Sequence, residues 1–280
     1  MKGIIVGVDE SSYAQAALRW AVGYAAQRNV PVTALLAWDY IDQHHVEPNA
    51  RFDPSYGSDM ANKVLDELVR RAVGDDNEVA RVVVCDHAGH ALVEAAGIDA
   101  ALVVVGARGM SGFKGLLLGS VSRHLLHAAT GPVAIVRDDA SREGEPVVVG
   151  IDGSEPSRRA LEWAIDYARC RQLKLIALHA WILPFTMLGV FAPPDVDECA
   201  ARADRFLEHE LMRVDSTGLI EPIERRAVDG QPSAALLEAS CLASLVVVGS
   251  RGHGEFTNTL LGSVSDQVSH YATCPVVVVP

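Results

Sequence analysis

Two α/β domains in tandem, each a doubly wound sheet of five parallel strands flanked by helices, are the fold this sequence predicts, and three observations predict it. The first is a repeat. Asp9 and Asp152, Trp20 and Trp163, Trp38 and Trp181, Gly106 and Gly249, Gly119 and Gly262, and Pro132 and Pro275 are all 143 residues apart. Self-similarity at one offset along most of a chain marks duplicated units. The second is a series of apolar runs such as Ile4-Ile5-Val6-Gly7-Val8 and Val147-Val148-Val149-Gly150-Ile151. Nearly continuous β-branched runs suit strands buried on both faces of a parallel sheet. The third is the alternation of such runs with helical patterns, the mark of successive βα units.

The elements follow in chain order. Ser11 and Ser154 stand where helix N-caps are wanted, and Pro156 fits a first helical turn. Leu18, Ala21, Val22 and Ala25 then share one apolar stripe, as do Leu161, Ala164, Ile165 and Ala168. Further strands are predicted over Val32 to Trp38, Val79 to Cys85, Leu102 to Val105 and Val133 to Val136, with counterparts in the second copy. The repeat register slips only between Gly89 and Val103, where the second copy runs a few residues longer before Glu238. The polar stretch Asp139-Ala140-Ser141-Arg142-Glu143-Gly144-Glu145-Pro146 carries Gly and Pro and reads as a linker. The predicted domains are therefore 1–138 and 147–280, joined by 139–146.

Composition narrows the function. The 280 residues are 49% hydrophobic and 21% charged, as in a soluble protein with substantial cores. The net charge of −12 opposes a nucleic-acid partner. A small anion remains open, because a local array of backbone N–H groups overrides the global field. No apolar stretch is long enough for a membrane span. The N-terminus enters a strand without a cleavable signal pattern. The five cysteines (Cys85, Cys170, Cys199, Cys241 and Cys274) have no CxxC spacing, so reduced thiols and a cytoplasmic location are expected. His87 and His90 read as loop histidines near a site mouth and not as a metal pair, since the matching Gly230-Gln231-Pro232-Ser233 has no histidine and no ligand set is completed. No metal-ligating residue is expected.

The chemistry lies in a glycine-rich segment between a buried strand and a helix. It reads Gly106-Ala107-Arg108-Gly109, nine residues, then Gly119-Ser120-Val121-Ser122, and recurs as Gly249-Ser250-Arg251-Gly252, nine residues, then Gly262-Ser263-Val264-Ser265. Glycines let a backbone approach an anion and take positive φ. The helix start supplies unpaired N–H groups and a positive dipole end. Serine hydroxyls offer further hydrogen bonds to phosphate. The expected place, at the carboxyl ends of parallel strands, is where such sheets bind ligands. The segment is not a Walker A loop, nor the compact GxGxxG turn. No nucleophile elbow or other catalytic constellation accompanies it.

This G-x2-G-x9-G-S pattern, with Gly7-Val8-Asp9 and Gly150-Ile151-Asp152 upstream, resembles the universal stress protein family, in its tandem, ATP-binding, actinobacterial form. The resemblance covers almost the whole chain and implies a Rossmann-like, adenine nucleotide α-hydrolase-like fold. It implies that Asp9 and Asp152, each beside Val8 or Ile151, meet the ribose or adenosine, and that Ala37 and Ala180 lie by the adenine. Gly106, Gly109, Gly119, Ser120, Val121 and Ser122 would hold one set of phosphates. Gly249, Gly252, Gly262, Ser263, Val264 and Ser265 would hold the other. An Asx cap on the next helix is the alternative role for either Asp. ATP is the implied ligand, with Mg²⁺ or Mn²⁺ bound through its phosphates. The implied function is nucleotide-dependent regulation in stress response, growth arrest or persistence, through an unidentified protein partner. A slow ATPase or phosphotransferase, or an interaction module for another adenine nucleotide, are the alternatives.

The copies differ in two places. Gly112 and Lys114 in the first loop stand where the second has Glu255 and Thr257. After the second strand, Asp39 to His45 is polar, whereas Ile182 to Pro194 is apolar and rich in Phe, Met and Pro. That apolar segment reads either as a lid or as an interface, the latter predicting a homodimer of the tandem chain.

Overall fold

The protein, seen here as a computed structural model, is described over residues 3–38, 57–75, 77–109, 117–137, 142, 144–182, 195–252 and 261–280. The loop positions Gly112, Lys114, Glu255 and Thr257, the His44-His45 pair and the segments 39–45 and 183–194 lie outside the described residues. The chain divides into two units, Met1–Ala140 and Ser141–Pro280.

In the first unit the strands are β1 (Gly3–Gly7), β2 (Val32–Trp38), β3 (Val79–Cys85), β4 (Ala100–Gly106) and β5 (Val133–Val136). They lie in the order β3-β2-β1-β4-β5, and each neighbouring pair is parallel. The helices are α1 (Ser12–Arg28), α2 (Ser58–Val73), α3 (Ala88–Asp99) and α4 (Ser120–Ala128). The second unit repeats the plan with β6 (Val147–Gly150), α5 (Glu155–Arg171), β7 (Leu175–Trp181), α6 (Val196–Leu211), β8 (Glu224–Asp229), α7 (Pro232–Ser240), β9 (Leu245–Gly249), α8 (Ser263–Tyr271) and β10 (Val276–Val279). Its order is β10-β9-β6-β7-β8, again parallel throughout.

Residue choice explains these elements. The central strands are valine and isoleucine because helices cover both of their faces; Val6, Val104, Val149 and Val247 are fully buried. The outermost strands β3 and β8 are more exposed, and each holds an arginine paired to the helix behind it, Arg81 to Asp66 at 2.8 Å and Arg225 to Asp204 at 3.0 Å. Charged side chains on an edge discourage pairing with another chain. Helix α1 starts where the Ser11 hydroxyl accepts from the Ala14 N–H, and α5 where Ser154 accepts from Ser157. Leu18, Ala21, Ala25, Leu161, Ala164, Ile165 and Ala168 are buried, as the stripe predicts, while Val22 is only half-buried.

The repeat register needs one correction. Trp38 pairs with Cys85 and Trp181 with Asp229, so the copies are already offset by one extra residue at the ends of β3 and β8. Packing agrees: a Cβ at Gly7 would meet Leu92, and one at Gly150 would meet Leu236. The slip thus precedes Gly89. It was hidden because the edge strands of the two copies share little sequence.

In each sheet the strand order reverses beside the first strand, between β1 and β4 and between β6 and β9. Connections leave that point toward opposite faces and open a crevice at the carboxyl ends of the strands.

Candidate functional site

Asp9 follows β1 into this crevice. Its Oδ1 accepts the Ser11 N–H at 3.0 Å and lies against the Ser11 hydroxyl. Asp152 Oδ1 accepts the Ser154 N–H at 2.9 Å. These are Asx turns, so one carboxylate oxygen serves the start of the next helix. The other oxygen turns toward the glycine-rich segment. A Cβ built on Gly109 would lie 2.5 Å from Asp9 Oδ2, and one on Gly252 would lie 2.1 Å from Asp152 Oδ2. The segment therefore runs so close to the carboxylate that a Cβ would force the Asp side chain to turn away. The same cap serines reach it too: the Ser11 hydroxyl lies 3.3 Å from the Arg108 carbonyl and Ser154 lies 3.2 Å from that of Arg251. Motif spacing could not reveal this second duty of Ser11 and Ser154.

The glycines divide into different tasks. A Cβ at Gly106 would lie 2.7 Å from the backbone of Tyr13, and one at Gly249 would lie 2.7 Å from that of Pro156. These two let the strand end pack on the first turn of α1 or α5. At Gly119 a Cβ would find its nearest neighbour at an ordinary 3.5 Å, whereas at Gly262 it would press on Arg251 Cα and Ser250 O at 3.3 Å. None of the six has positive φ. The sequence reading gave left-handed backbone as one reason for them, and the structure replaces it with close approach.

Helices α4 and α8 begin at Gly119 and Gly262, and neither has a side-chain cap. Helices α1 and α5 do have one. The first-turn N–H groups of Ser120, Val121 and Ser122, and of Ser263, Val264 and Ser265, thus start the helix without the side-chain acceptor that usually meets them. The glycine N–H groups themselves turn inward, Gly119 to the Ala107 carbonyl and Gly262 to that of Ser250, each at 2.7 Å. Ser120 and Ser263 are exposed. Ser122 and Ser265 are buried, and their hydroxyls donate at 2.8 Å to the carbonyls of Gly106 and Ser250. Those two hydroxyls tie the helix to the strand end, and their backbone N–H groups are what they offer a ligand.

Ala37 and Ala180 lie near the ends of β2 and β7, partly exposed, on the strands next to β1 and β6. Val8 and Ile151 are buried, and their N–H groups donate to Leu35 and Leu178. In the second copy the ring of His179 bonds through Nδ1 to the Ile151 carbonyl at 2.7 Å and packs on Phe206 at 4.4 Å. Arg108 stacks over Tyr13 at 5.5 Å, whereas Arg251 is exposed. Trp163 stacks on Tyr167 one helical turn away, and Trp20 packs tilted against Tyr24 in the same way along its helix.

The histidine reading is corrected. His90 lies within α3 and not in a loop, its ring meets Asp86, and Asp86, His90 and Glu94 bring together side chains of a kind that could hold a metal ion. The spacing Asp-x3-His-x3-Glu is present in the sequence, but only the fold shows that the three side chains meet.

A model of the universal stress protein family matches residues 1–137 and 144–280. A universal stress protein of Mycolicibacterium smegmatis is 38% identical over 300 residues, covering 99% of this chain and 96% of that protein. One from Mycobacterium tuberculosis is 36% identical over 298 residues, covering 99% and 95%. A universal stress protein from Archaeoglobus fulgidus has a similar solved structure, with a TM-score of 0.65 and 22% identity over 99% of this chain and 96% of that one. Among the described residues no helix is long and apolar enough to cross a membrane.

Proposed function

The chain belongs to the universal stress protein family, and on that premise we propose that each of its domains binds ATP and that occupancy regulates a protein partner in stress response or growth arrest. The observation that carries this reading is the uncapped start of α4 and of α8, set beside a glycine that touches the Asp of the first strand. A triphosphate is the acceptor such a helix start favours, since N–H groups and the helix dipole both point at it. Gly119 and Gly262 leave the backbone bare where the phosphates would approach. Asp9 and Asp152 hold one oxygen toward the crevice, in reach of a ribose hydroxyl, as the family resemblance implies. Ala37 and Ala180 are small, so an adenine would lie flat against β2 and β7. A divalent ion would arrive with the phosphates and mask their charge from the Asp carboxylate. Among the described residues the group that could hold a metal ion, Asp86, His90 and Glu94, lies at the start of α3.

Among the described residues of the crevice no base is paired with a nucleophile, and slow hydrolysis at these sites is the turnover this reading allows. The test is direct: denature the purified protein, identify any released nucleotide by mass, and titrate the stripped protein with ATP, ADP and cyclic nucleotides by calorimetry. Tightest binding of ATP, lost on Gly109→Ala with Gly252→Ala, is the expected result. No binding of any adenine nucleotide overturns the reading, and preference for a cyclic nucleotide moves it to the interaction-module alternative.

A further inference from the structure

Asp86, His90 and Glu94 each bring one ligand atom to a point where all lie within 4.8 Å of one another. Asp86 follows β3 and comes just before His87, the extended N-cap of α3, while His90 and Glu94 stand four residues apart on one face of the helix. The arrangement is held from two sides. Asp86 Oδ1 accepts the His87 N–H at 2.7 Å, while its Oδ2 meets His90 Nδ1. On the neighbouring helix, His124 packs over Gly89 so closely that a Cβ there would lie 2.9 Å from its ring. A further imidazole thus lies beside the residue that precedes His90.

The second domain supplies a control written into the same chain. The strand register and the contacts of Leu92 and Leu236 align α3 with α7. Asp86, His90 and Glu94 then fall on Gly230, Ala234 and Glu238, and His124 falls on Gln267. Helix α7 forms and packs as α3 does with only the glutamate retained. The fold does not require the other two side chains.

We propose that Asp86, His90 and Glu94 form a binding site for a divalent transition-metal ion, zinc or a close analogue, at the head of α3 in the first domain only. One imidazole with two carboxylates is a donor set that zinc accepts, and it leaves a position for water. Magnesium and calcium, which want oxygen throughout, match it poorly. The ion would take the place of the hydrogen bond between Asp86 and His90 and draw in the Glu94 carboxylate. Because His90 is 69% exposed, the ion exchanges freely with solvent. The site does not depend on the nucleotide proposal.

The experiment uses the full chain stripped with a chelator. Zinc chloride is titrated by calorimetry, and cobalt(II) is followed by its visible absorption, without nucleotide. One ion per chain is expected, with affinity lowered at least about tenfold by His90→Ala and by Glu94→Gln. His90 and Glu94 are exposed, so both variants should keep the fold, which circular dichroism checks. A wild type that takes up no zinc overturns the proposal. So does an isotherm unchanged by His90→Ala, which would assign the metal to the chain's other histidines.

Discussion

Glycines that look alike in the motif separate once their neighbours are known. At Gly106 and Gly249 the obstacle to a side chain is the helix backbone of Tyr13 or Pro156, which cannot swing away. Gly106→Ala or Gly249→Ala should therefore cost about 1–3 kcal/mol of stability, the usual range for an overpacked site. At Gly109 and Gly252 the obstacle is the far end of an Asp side chain, which can rotate at the expense of its bond to Ser11 or Ser154. Gly109→Ala and Gly252→Ala should leave the melting temperature within a degree or two, since surface substitutions of this kind stay near 0.5 kcal/mol. They should still weaken ATP binding at least about tenfold, equal to roughly 1.4 kcal/mol. Thermal melts and calorimetry on the four variants test the division, and a large melting loss at Gly109 with binding intact would refute it. The motif told us where the glycines stand, but a repeat spacing carries no information about which neighbour forbids a Cβ. For the same reason Ser122 and Ser265 read as phosphate donors although their hydroxyls are committed inward.

Among the elements, the strands were the most legible, because Val79 to Cys85 and Val133 to Val136 are β-branched runs bounded by breakers, and the structure starts and stops β3 and β5 at those residues. Helices α2 and α6 were not legible. They follow the two segments in which the copies diverge, and α2 begins at Gly57 with no side-chain cap to announce it. Their anchoring comes from ion pairs that only the fold brings together. Glu210 of α6 is 4% exposed and meets Arg158 of α5 at 2.9 Å, with Arg213 at 3.4 Å. Burial pushes its carboxyl up, but the two guanidiniums outweigh this and hold it below its ordinary value. The stability this gives is complete above the unfolded value of about 4.5 and drains away as pH falls through the lower folded one. Glu210→Gln should lower stability at neutral pH by roughly 1–2 kcal/mol, in the range for hydrogen bonds to charged groups discounted for the solvent around Arg158. It should also flatten the acid limb of the melting curve below about pH 4.5. A variant with an unchanged acid limb would show that the pair contributes nothing to linkage. Caps act at the same scale: Ser154→Ala removes the acceptor for the Ser157 N–H and the tie to the Arg251 carbonyl, so about 1 kcal/mol should be lost. A denaturant midpoint equal to the wild type's would speak against that cap.

Across the whole molecule, the two units carry the same strand order, the same capped first helix and the same uncapped glycine helix. Duplication alone therefore argues for two nucleotide sites per chain. Drift since then argues against equal ones. Tyr13 under Arg108 in the first copy is Pro156 in the second, and Leu36 in β2 is His179 in β7, bonded to the carbonyl just before Asp152. In the loops, Lys114 of the first copy aligns with Thr257 and Gly112 with Glu255. A lysine attracts a triphosphate and a glutamate repels it, so the first site should be the tighter. Salt screens such charge effects over about 10 Å. Calorimetry on the full chain should give two ATP per chain at low salt. Gly109→Ala should leave one weaker site and Gly252→Ala one tighter site, and the gap between them should narrow as salt rises. Glu255→Gln should narrow it too, by raising affinity at the second site alone. Equal affinities in the two single variants at low salt would show that the loop charges do not discriminate, and a stoichiometry of one in the wild type would show that only one copy has kept its ligand.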